Sequence, residues 1–197
     1  MSQSTNIDAK KEQERAKVFK ANLPIDKANN QAQGVMFDVK AEKPVTILSY
    51  DIHVDTNRAF NVKVYHRIGS YIGHSSEPTL PGWSLDCDLE VSGKGLGQTT
   101  SIPLYDSTGR PPCAARNNQG EYDVVQPGDI VAIYIVVEEG VKMLYSTGTY
   151  EGAPYVKNSA ITIHQGIGKG LLFDTYSPRI YHGGIYYSYD ETSSQFV

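Results

Sequence analysis

The sequence predicts an all-β protein: a single antiparallel β-sandwich, jelly-roll-like, preceded by an extended or partly helical N-terminal arm. Its 197 residues suffice for one domain, and 18 Gly, 10 Pro and 14 Tyr are typical of strands joined by turns. From Gly34 onward, short alternating segments follow one another without an intervening helical pattern. Strands without crossover helices favour an antiparallel sandwich over a parallel sheet.

About nine segments carry the strand pattern, and turn residues such as those of "PGD" and "HGG" separate them. In "FNVKVYH", for example, Phe60, Val62 and Val64 alternate with polar or amphipathic residues. The predicted strands are "VMFDVK" (35–40), "PVTILSYDIHV" (44–54), "FNVKVYH" (60–66), "WSLDCDLE" (83–90), "TTSIPL" (99–104), "IVAIYIVV" (130–137), "KMLYS" (142–146), "SAITIHQ" (159–165) and "GGIYYSY" (183–189).

Alternation also predicts which side chains face the core. In "WSLDCDLE" it places Leu85 and Cys87 inside and Asp86 outside, whereas "IVAIYIVV" is apolar on both faces, as a covered central strand would be. His53 and His164 fall on outward faces, where solvated imidazoles are expected.

The arm is predicted to cover residues 1–33 and the sandwich residues 34–197. A short helix is expected over 8–20, capped by Asn6 or Asp8 and ended by "NLP" at 22–24. Either the arm is a disordered tail, or it docks on a neighbouring subunit. The docking alternative would use Val18, Phe19, Leu23 and Ile25.

Charge and hydropathy exclude two classes of partner. The net charge of -4 is spread along the chain, so no basic face is expected for nucleic acid. No apolar run approaches the roughly 18 residues that a membrane span requires. The N-terminus lacks the apolar core of a signal peptide, which predicts either a cytoplasmic protein or a mature secreted form.

The two cysteines leave their pairing open. Cys87 is predicted in a strand as a small core residue, and Cys113 lies in the polar loop "GRPPCAARNNQG". They form either a disulfide or two free thiols, and no spacing suggests zinc.

Motifs for catalysis and cofactors are weak. "GIGKG" lacks the strand–loop–helix context of a phosphate loop and is predicted to be a turn, and no histidine lies in metal-ligand spacing.

Arg179 is expected to pair with Asp174 in a structural role. A third functional hypothesis is a hydrolase on the same scaffold, in which Asp86 and Asp88 would carry glycosidase chemistry. A structural calcium ion is a further alternative, with Asp51, Asp55 and Asp129 as candidate ligands.

Tyrosine is the strongest compositional signal, since eight of the 14 lie between Tyr145 and Tyr189. In "GGIYYSY", Tyr187 and Tyr189 share one face of the strand with Ile185, and Tyr186 lies on the other. One set is expected to fill the core. The other is available either for a subunit interface, with Tyr181 and Tyr186, or for stacking on sugars.

The order of several segments resembles a β-sandwich accessory module that recurs in secreted multidomain proteins of bacteria and algae. Tyr181 departs from this pattern, which usually has Trp there, and the arm has no counterpart in it. The resemblance implies a non-catalytic accessory or structural role and an extracellular or cell-surface location. The matching segments are "GVMFDV" (34–39), "VTILSYDIHVD" (45–55), "VKVYHRIGSYIG" (62–73), Trp83, "QPGD" (126–129) and "GIGKGLLFDTYSPRIYHGGIYY" (166–187).

Together these features predict a non-enzymatic, self-associating structural protein, a subunit of a filament, tube, shell or surface layer. Its arm would contact an adjacent subunit by strand addition or docking. The alternative is a carbohydrate-binding module that uses Tyr71 and Trp83. No cofactor is expected beyond the calcium alternative.

Overall fold

Strand formation dominates the chain, as the alternating segments predict. The computed structural model describes residues 17–76, 82–117, 119–170 and 174–189, and this part contains 14 strands and no helix. None of the described residues therefore forms a helix able to span a membrane. The strands are β1 (Val18–Asn22), β2 (Asn30–Ala32), β3 (Gly34–Ala41), β4 (Val45–His53), β5 (Ala59–Ile68), β6 (Ser84–Ser92), β7 (Thr99–Ser101), β8 (Ile130–Val137), β9 (Met143–Thr147), β10 (Pro154–Lys157), β11 (Ile161–His164), β12 (Gly166–Lys169), β13 (Thr175–Tyr181) and β14 (Gly183–Tyr189).

These strands form two antiparallel sheets. The smaller sheet has the order β1-β14-β4-β7. The larger sheet follows β2-β9-β13-β12-β3-β8-β5-β6, and β11 pairs with both β3 and β10. The two sheets pack face to face, which confirms the predicted all-β antiparallel sandwich.

The main core lies between the inner faces of the two sheets. Phe37, Val62 and Ile133 contribute to it from the larger sheet, and Ile52 and Ile185 from the smaller one. Each of these side chains is at most 1% exposed. Burial of one such side chain stabilises the fold by about 1.5–3 kcal/mol, so this core is the main source of stability.

A second apolar cluster covers the outer face of the larger sheet. Met36, Ala132 and Ile167 lie on that face, and Tyr71 and Trp83 pack over them. Strand β8 is consequently buried on both faces, as its continuous apolar sequence predicts.

"GIGK" is a strand, β12, so the prediction of a turn here is wrong. It lies in the larger sheet between β3 and β13. A side chain on Gly166 would overlap the Met36 carbonyl oxygen, and one on Gly168 would overlap the Tyr145 hydroxyl. Glycine is needed here because neighbouring atoms occupy the space that a Cβ would fill. In a turn or a phosphate loop, glycine would be needed for a different reason.

Part of the predicted arm belongs to the sandwich. Strand β1 pairs with β14, and β2 pairs with β9, so residues 18–32 add an edge strand to each sheet. Residues 18–20, expected at the end of a helix, are extended. The remainder of that helix and its caps, Asn6 and Asp8, lie outside the described residues.

A β-bulge in β6 reverses the predicted facing of two residues. Val64 is opposite Cys87 and Tyr65 is opposite Leu85, which leaves Asp86 as the extra, unpaired residue. Leu85 is therefore turned outward and is 52% exposed. The Asp86 side chain is only 2% exposed. Alternation predicted the reverse for both, because it assumes an unbroken period of two.

Cys87 and Cys113 form a disulfide, so the bridged alternative is the correct one and the two thiols are not free. Their Cα atoms are 5.0 Å apart, and 26 residues separate them in sequence. The bond ties the long loop after β7 to the edge strand β6.

Candidate functional site

The outer face of the larger sheet carries a groove. Phe60, Val62 and Val64 of β5 point into the core, and Asn61 and Lys63, which alternate with them, point outward. Pairing places β5 between β6 and β8, so outward residues of three strands meet. The groove has a volume of about 350 Å³. Its lining residues are Asn61, Lys63, Asp88, Val136, Val137 and Glu138.

Donors and acceptors lie side by side in this groove. Lys63 Nζ is 3.2 Å from Asp88 Oδ2, and the two side chains are 46% and 45% exposed. Such an ion pair is weak in water, so its members can exchange partners with a bound ligand. Sequence reasoning did not select Asn61, Lys63 or Glu138 as site residues, because only the strand order brings them together.

Glu138 is held as an acceptor at one end of the groove. Its Oε2 accepts the backbone N–H of Asn61 at 2.9 Å, and its Oε1 accepts Arg58 Nη1 at 2.6 Å. These two hydrogen bonds hold the pKa of Glu138 below its usual value. Glu138 is thus suited to accept hydrogen bonds from a ligand and poorly suited to donate a proton as a general acid.

The carboxylates proposed for glycosidase chemistry lie on opposite sides of β6. Asp88 contacts Lys63 on the outer face, whereas Asp86 contacts His66 on the inner side. Because of the bulge, the two do not face a common cleft, which the two-carboxylate mechanism requires.

Tyr71 and Trp83, the predicted sugar-stacking residues, are buried within the second cluster. Tyr71 is 0% exposed and Trp83 9% exposed. The indole Nε1–H of Trp83 donates to the His74 carbonyl oxygen at 2.9 Å, and its ring meets that of Tyr134 edge-on. These two rings hold the segment around residues 70–76 on the sheet, and neither offers an open face to a sugar.

Tyr65 follows the groove residue Lys63 by two positions on β5 and is not itself among the lining residues. It is half-buried and stacks on Tyr134 with 5.8 Å between ring centroids. It lies on the same face as Lys63, and Leu85 is its cross-strand neighbour. Tyr65 and Leu85 therefore add exposed apolar surface beside the polar groove.

The predicted subunit contacts divide into two groups. Leu23 and Tyr181 are 5% and 2% exposed within their own chain. Tyr181 stacks on Phe37 at 4.5 Å, and its hydroxyl donates to the Asp51 backbone carbonyl. These two side chains are core residues and cannot contact another subunit in the folded protein. The half-buried candidates are Val18, Phe19, Ile25 and Tyr186.

Asp51, a calcium candidate, pairs with a lysine of the predicted arm. Lys20 Nζ lies 2.5 Å from Asp51 Oδ2, and the Tyr186 hydroxyl donates to the same oxygen at 3.2 Å. Burial opposes the charge of Lys20, but its hydrogen bonds to Asp51 and Tyr186 raise its pKa overall. The Lys20 side chain passes over Gly184, where a Cβ would obstruct it. The pair thus joins β1 to β4 across β14.

The other calcium candidates do not join Asp51. Asp55 Oδ1 accepts the backbone N–H of Lys142 at 2.9 Å, and Asp129 lies in a turn closed by its N–H bond to Gln126. Within the described ranges, no three His, Cys, Asp or Glu side chains come close enough together to hold a metal ion.

Two buried histidines form a cluster that sequence reasoning missed. His53, predicted to be solvated, is 3% exposed and accepts the Gly97 N–H through Nε2 at 3.0 Å. His182 stacks beside it, and its Nε2 lies 2.9 Å from Ser146 Oγ. Burial, followed by the neighbouring His53, lowers the pKa of His182 to about 4. Both imidazoles are thus neutral structural groups near pH 7.

A third buried histidine, His66, lies between two carboxylates. Its Nδ1 is 2.6 Å from Asp86 Oδ1, and its Nε2 is 3.6 Å from Asp123 Oδ2. A small cavity of about 80 Å³ adjoins this cluster. The bulge at Asp86 creates the arrangement, which is why alternation could not predict it.

Arg179 does not pair with Asp174 as expected. Its guanidinium lies over the rings of Tyr145 and Tyr176, at 5.6 and 5.9 Å from their centroids. Its Nη1 donates to the Pro178 carbonyl oxygen at 2.8 Å. Arg179 therefore has a structural role, which it fulfils through cation–π contacts instead of an ion pair.

Comparison with known sequences adds no family assignment: no protein-family model and no curated protein matches the chain.

Proposed function

We propose that the protein is a non-catalytic binding protein that recognises a carbohydrate in the groove on the outer face of β8, β5 and β6. The groove is the observation that carries the proposal. Its volume of about 350 Å³ lies within the range of small-molecule sites. Tyr65 beside it supplies an aromatic surface, and Asn61, Lys63 and Asp88 supply donors and acceptors.

The charges in the groove favour a neutral ligand. Each acidic lining residue already has a cation beside it: Lys63 pairs with Asp88, and Arg58 pairs with Glu138. A phosphate or an acidic glycan would therefore have to compete with these carboxylates for both cations. A neutral sugar instead exchanges hydrogen bonds with amide, amine and carboxylate groups and packs its C–H faces on Tyr65.

The disulfide supports a secreted location for this protein. Bonds such as Cys87–Cys113 form and persist in oxidising compartments. The resemblance to modules of secreted multidomain proteins points to the same location. Neutral polysaccharides of cell surfaces and extracellular matrices are the class of ligand that we propose there.

Binding to a panel of neutral oligosaccharides, followed by calorimetry on any that bind, tests the proposal. Asn61→Ala and Tyr65→Ala are expected to weaken binding by roughly tenfold or more, as loss of a buried polar or aromatic contact usually does. Glu90→Gln is the matched control, because Glu90 points outward on β6 but does not line the groove. Absence of binding across the panel, or equal binding by Asn61→Ala and Glu90→Gln, would contradict it.

A second candidate function is self-association through the edge strand β1. Leu23 donates its N–H to the Gly183 carbonyl oxygen, so by alternation the N–H groups of residues 18, 20 and 22 face away from β14. No described strand pairs with that side of β1. Val18 is half-buried, and the Phe19 ring stacks on Tyr189 of β14 with 4.4 Å between centroids. This edge is a template for strand addition by another copy.

Val18→Pro tests the second candidate, because it removes an outward N–H without touching the ladder to β14. Val18→Thr, which keeps the N–H, is the control. Light scattering and negative-stain microscopy over a concentration series should show assemblies for the wild type and for Val18→Thr only. Monomers at every concentration, or assembly by Val18→Pro, would contradict it. Deletion of residues 1–30 would not test this candidate, since it would also remove the core side chains of Ala21 and Leu23.

A further inference from the structure

We propose that His66 and Asp123 form a protonation-dependent latch that holds residues 119–125, the latch segment, against strands β5 and β6. This device is independent of the groove and of the proposed function. It rests on a buried imidazole that faces a carboxylate on each side, only one of which belongs to the sheet.

The geometry requires a charged imidazole for both contacts. His66 Nδ1 is 2.6 Å from Asp86 Oδ1 on β6, and Nε2 is 3.6 Å from Asp123 Oδ2 in the latch segment. The side chains of His66 and Asp86 are 6% and 2% exposed, and that of Asp123 is 24% exposed. A neutral imidazole carries one N–H and can satisfy only one carboxylate. With the proton on Nδ1 for Asp86, the Nε2 lone pair would face the Asp123 carboxylate.

Asp86 holds the imidazole from the sheet side. Its second oxygen, Oδ2, is buried and has no hydrogen-bond partner. The carboxylate adjoins the cavity of about 80 Å³, which Ser84, Ala114 and Arg116 also line. An incompletely satisfied buried carboxylate favours a positive charge on the nearest titratable group, which is His66.

The other ionisable groups around the cluster do not supply that charge. Arg116 donates to the Gly120 carbonyl oxygen and to the Tyr122 hydroxyl, both at the latch segment itself. Tyr50, from β4, is fully buried, and burial raises its pKa well above 10, so it stays neutral. His66 is therefore the group whose protonation decides the attraction for Asp123.

The sign of the pH dependence follows from the environment of His66. Burial lowers its pKa, but the hydrogen bond and charge of Asp86, with the charge of Asp123, raise it overall above 6.5. The latch is thus closed when His66 is charged and is lost as the pH rises through this raised pKa. It also weakens in acid, because burial raises the pKa of Asp86 and protonation removes its charge.

Backbone contacts that do not involve the His66 side chain also hold the latch segment, so its release is local. Val125 forms a backbone bridge with Val45, and Asp123 donates its N–H to the Ala115 carbonyl oxygen. The Cys87–Cys113 disulfide holds the preceding loop to β6. Opening then frees the Asp123 side of His66 while the sandwich remains folded.

Hydrogen–deuterium exchange of the intact, oxidised protein between pH 5.5 and 9 tests the latch, with rates corrected for intrinsic exchange. Peptides covering 119–125 should lose protection by roughly tenfold above the raised pKa of His66, because the attraction between His66 and Asp123 is lost there. Asp123→Asn should exchange fast at every pH. Peptides from β3 should change little, since the fold persists.

Two results would overturn the latch. One is protection of 119–125 in the wild type that does not change with pH; the other is an unchanged pH profile in Asp123→Asn. His66→Gln is a second variant with the same expectation as Asp123→Asn. If it does not fold, an NMR titration of the His66 ring in the wild type and in Asp123→Asn replaces it. The pKa should then be lower in the variant, and equal values would contradict the proposal.

Discussion

Asp38 on β3 accepts a hydrogen bond from the hydroxyl of Ser70, 32 residues later, at 2.5 Å. The other oxygen of this carboxylate accepts the backbone N–H of Tyr71 at 3.0 Å. One buried side chain thus fastens the segment that carries Tyr71 over the outer face of the larger sheet. The segments "GVMFDV" and "GSYIG" are therefore two halves of one contact, because the first supplies the carboxylate and the second supplies the donors.

We expect Asp38→Ala to destabilise the protein by about 2 kcal/mol, because two donors lose their partner in a buried place. Trp83, the only tryptophan, packs in the same cluster and reports on it by fluorescence during urea unfolding. Asp88→Ala is the control, with an exposed ion pair worth about 0.5 kcal/mol. Equal unfolding midpoints for the two variants would show that the Asp38 contact adds no stability.

Acid should destabilise the fold through His182. Its pKa of about 4 in the folded state lies below 6.5, the value for an unperturbed imidazole, so the unfolded chain takes up the proton first. Stability falls as the pH drops from 6.5 to about 4, by about 3 kcal/mol. Urea unfolding at several pH values should show a smaller fall in His182→Gln than in the control His74→Gln, whose side chain is exposed. Identical pH profiles would contradict this assignment.

Gly166→Ala should prevent folding or cost at least about 3 kcal/mol, because the new Cβ overlaps the Met36 carbonyl oxygen inside a sheet. Gly128→Ala is the matched control: its φ is +91° and nothing lies within 4 Å of the added Cβ. We expect Gly128→Ala to lower the free energy of unfolding by about 1 kcal/mol, from backbone strain alone. Thermal unfolding by circular dichroism measures both, and a Gly166→Ala protein as stable as Gly128→Ala would disprove the close packing of β12 on β3.

Removal of the disulfide should cost about 3 kcal/mol, the usual effect of a bridge that closes a loop of this length. The test is urea unfolding of Cys87→Ser/Cys113→Ser beside the wild type, with and without dithiothreitol. Reductant should bring the wild type to the stability of the variant and leave the variant unchanged. A wild type insensitive to dithiothreitol, even after unfolding and refolding in it, would be inconsistent with a stabilising bridge.

Regular alternation was predictable from the sequence, and so were the elements that rest on it. Phe60, Val62 and Val64 face the core as expected, and β8 is covered on both faces. The prediction was wrong where a local irregularity changed the period, as at Asp86. It also missed β12, because glycine in a strand and glycine in a turn look alike until the neighbouring backbone is known.

The candidate site was less predictable than the fold. Alternation placed Asn61 and Lys63 on an outward face, but nothing local shows that β8 brings Val136 and Glu138 beside them. Tyr71 and Trp83 were predicted to be exposed, but Asp38 holds the segment of Tyr71 on the sheet, and Trp83 packs against Tyr134. Pairing between strands that lie far apart in the chain decided each outcome. No short segment of the sequence shows which strands will pair.

The sequence by itself determined that this chain forms antiparallel strands with apolar residues facing a core, because side-chain periodicity and turn chemistry are local properties. The tertiary structure alone decided which polar residues share a surface, which histidines are buried and where β1 docks. The physical reason is that strand order and register join residues far apart in the chain. A single bulge, such as that at Asp86, then transfers a carboxylate from solvent to a buried imidazole.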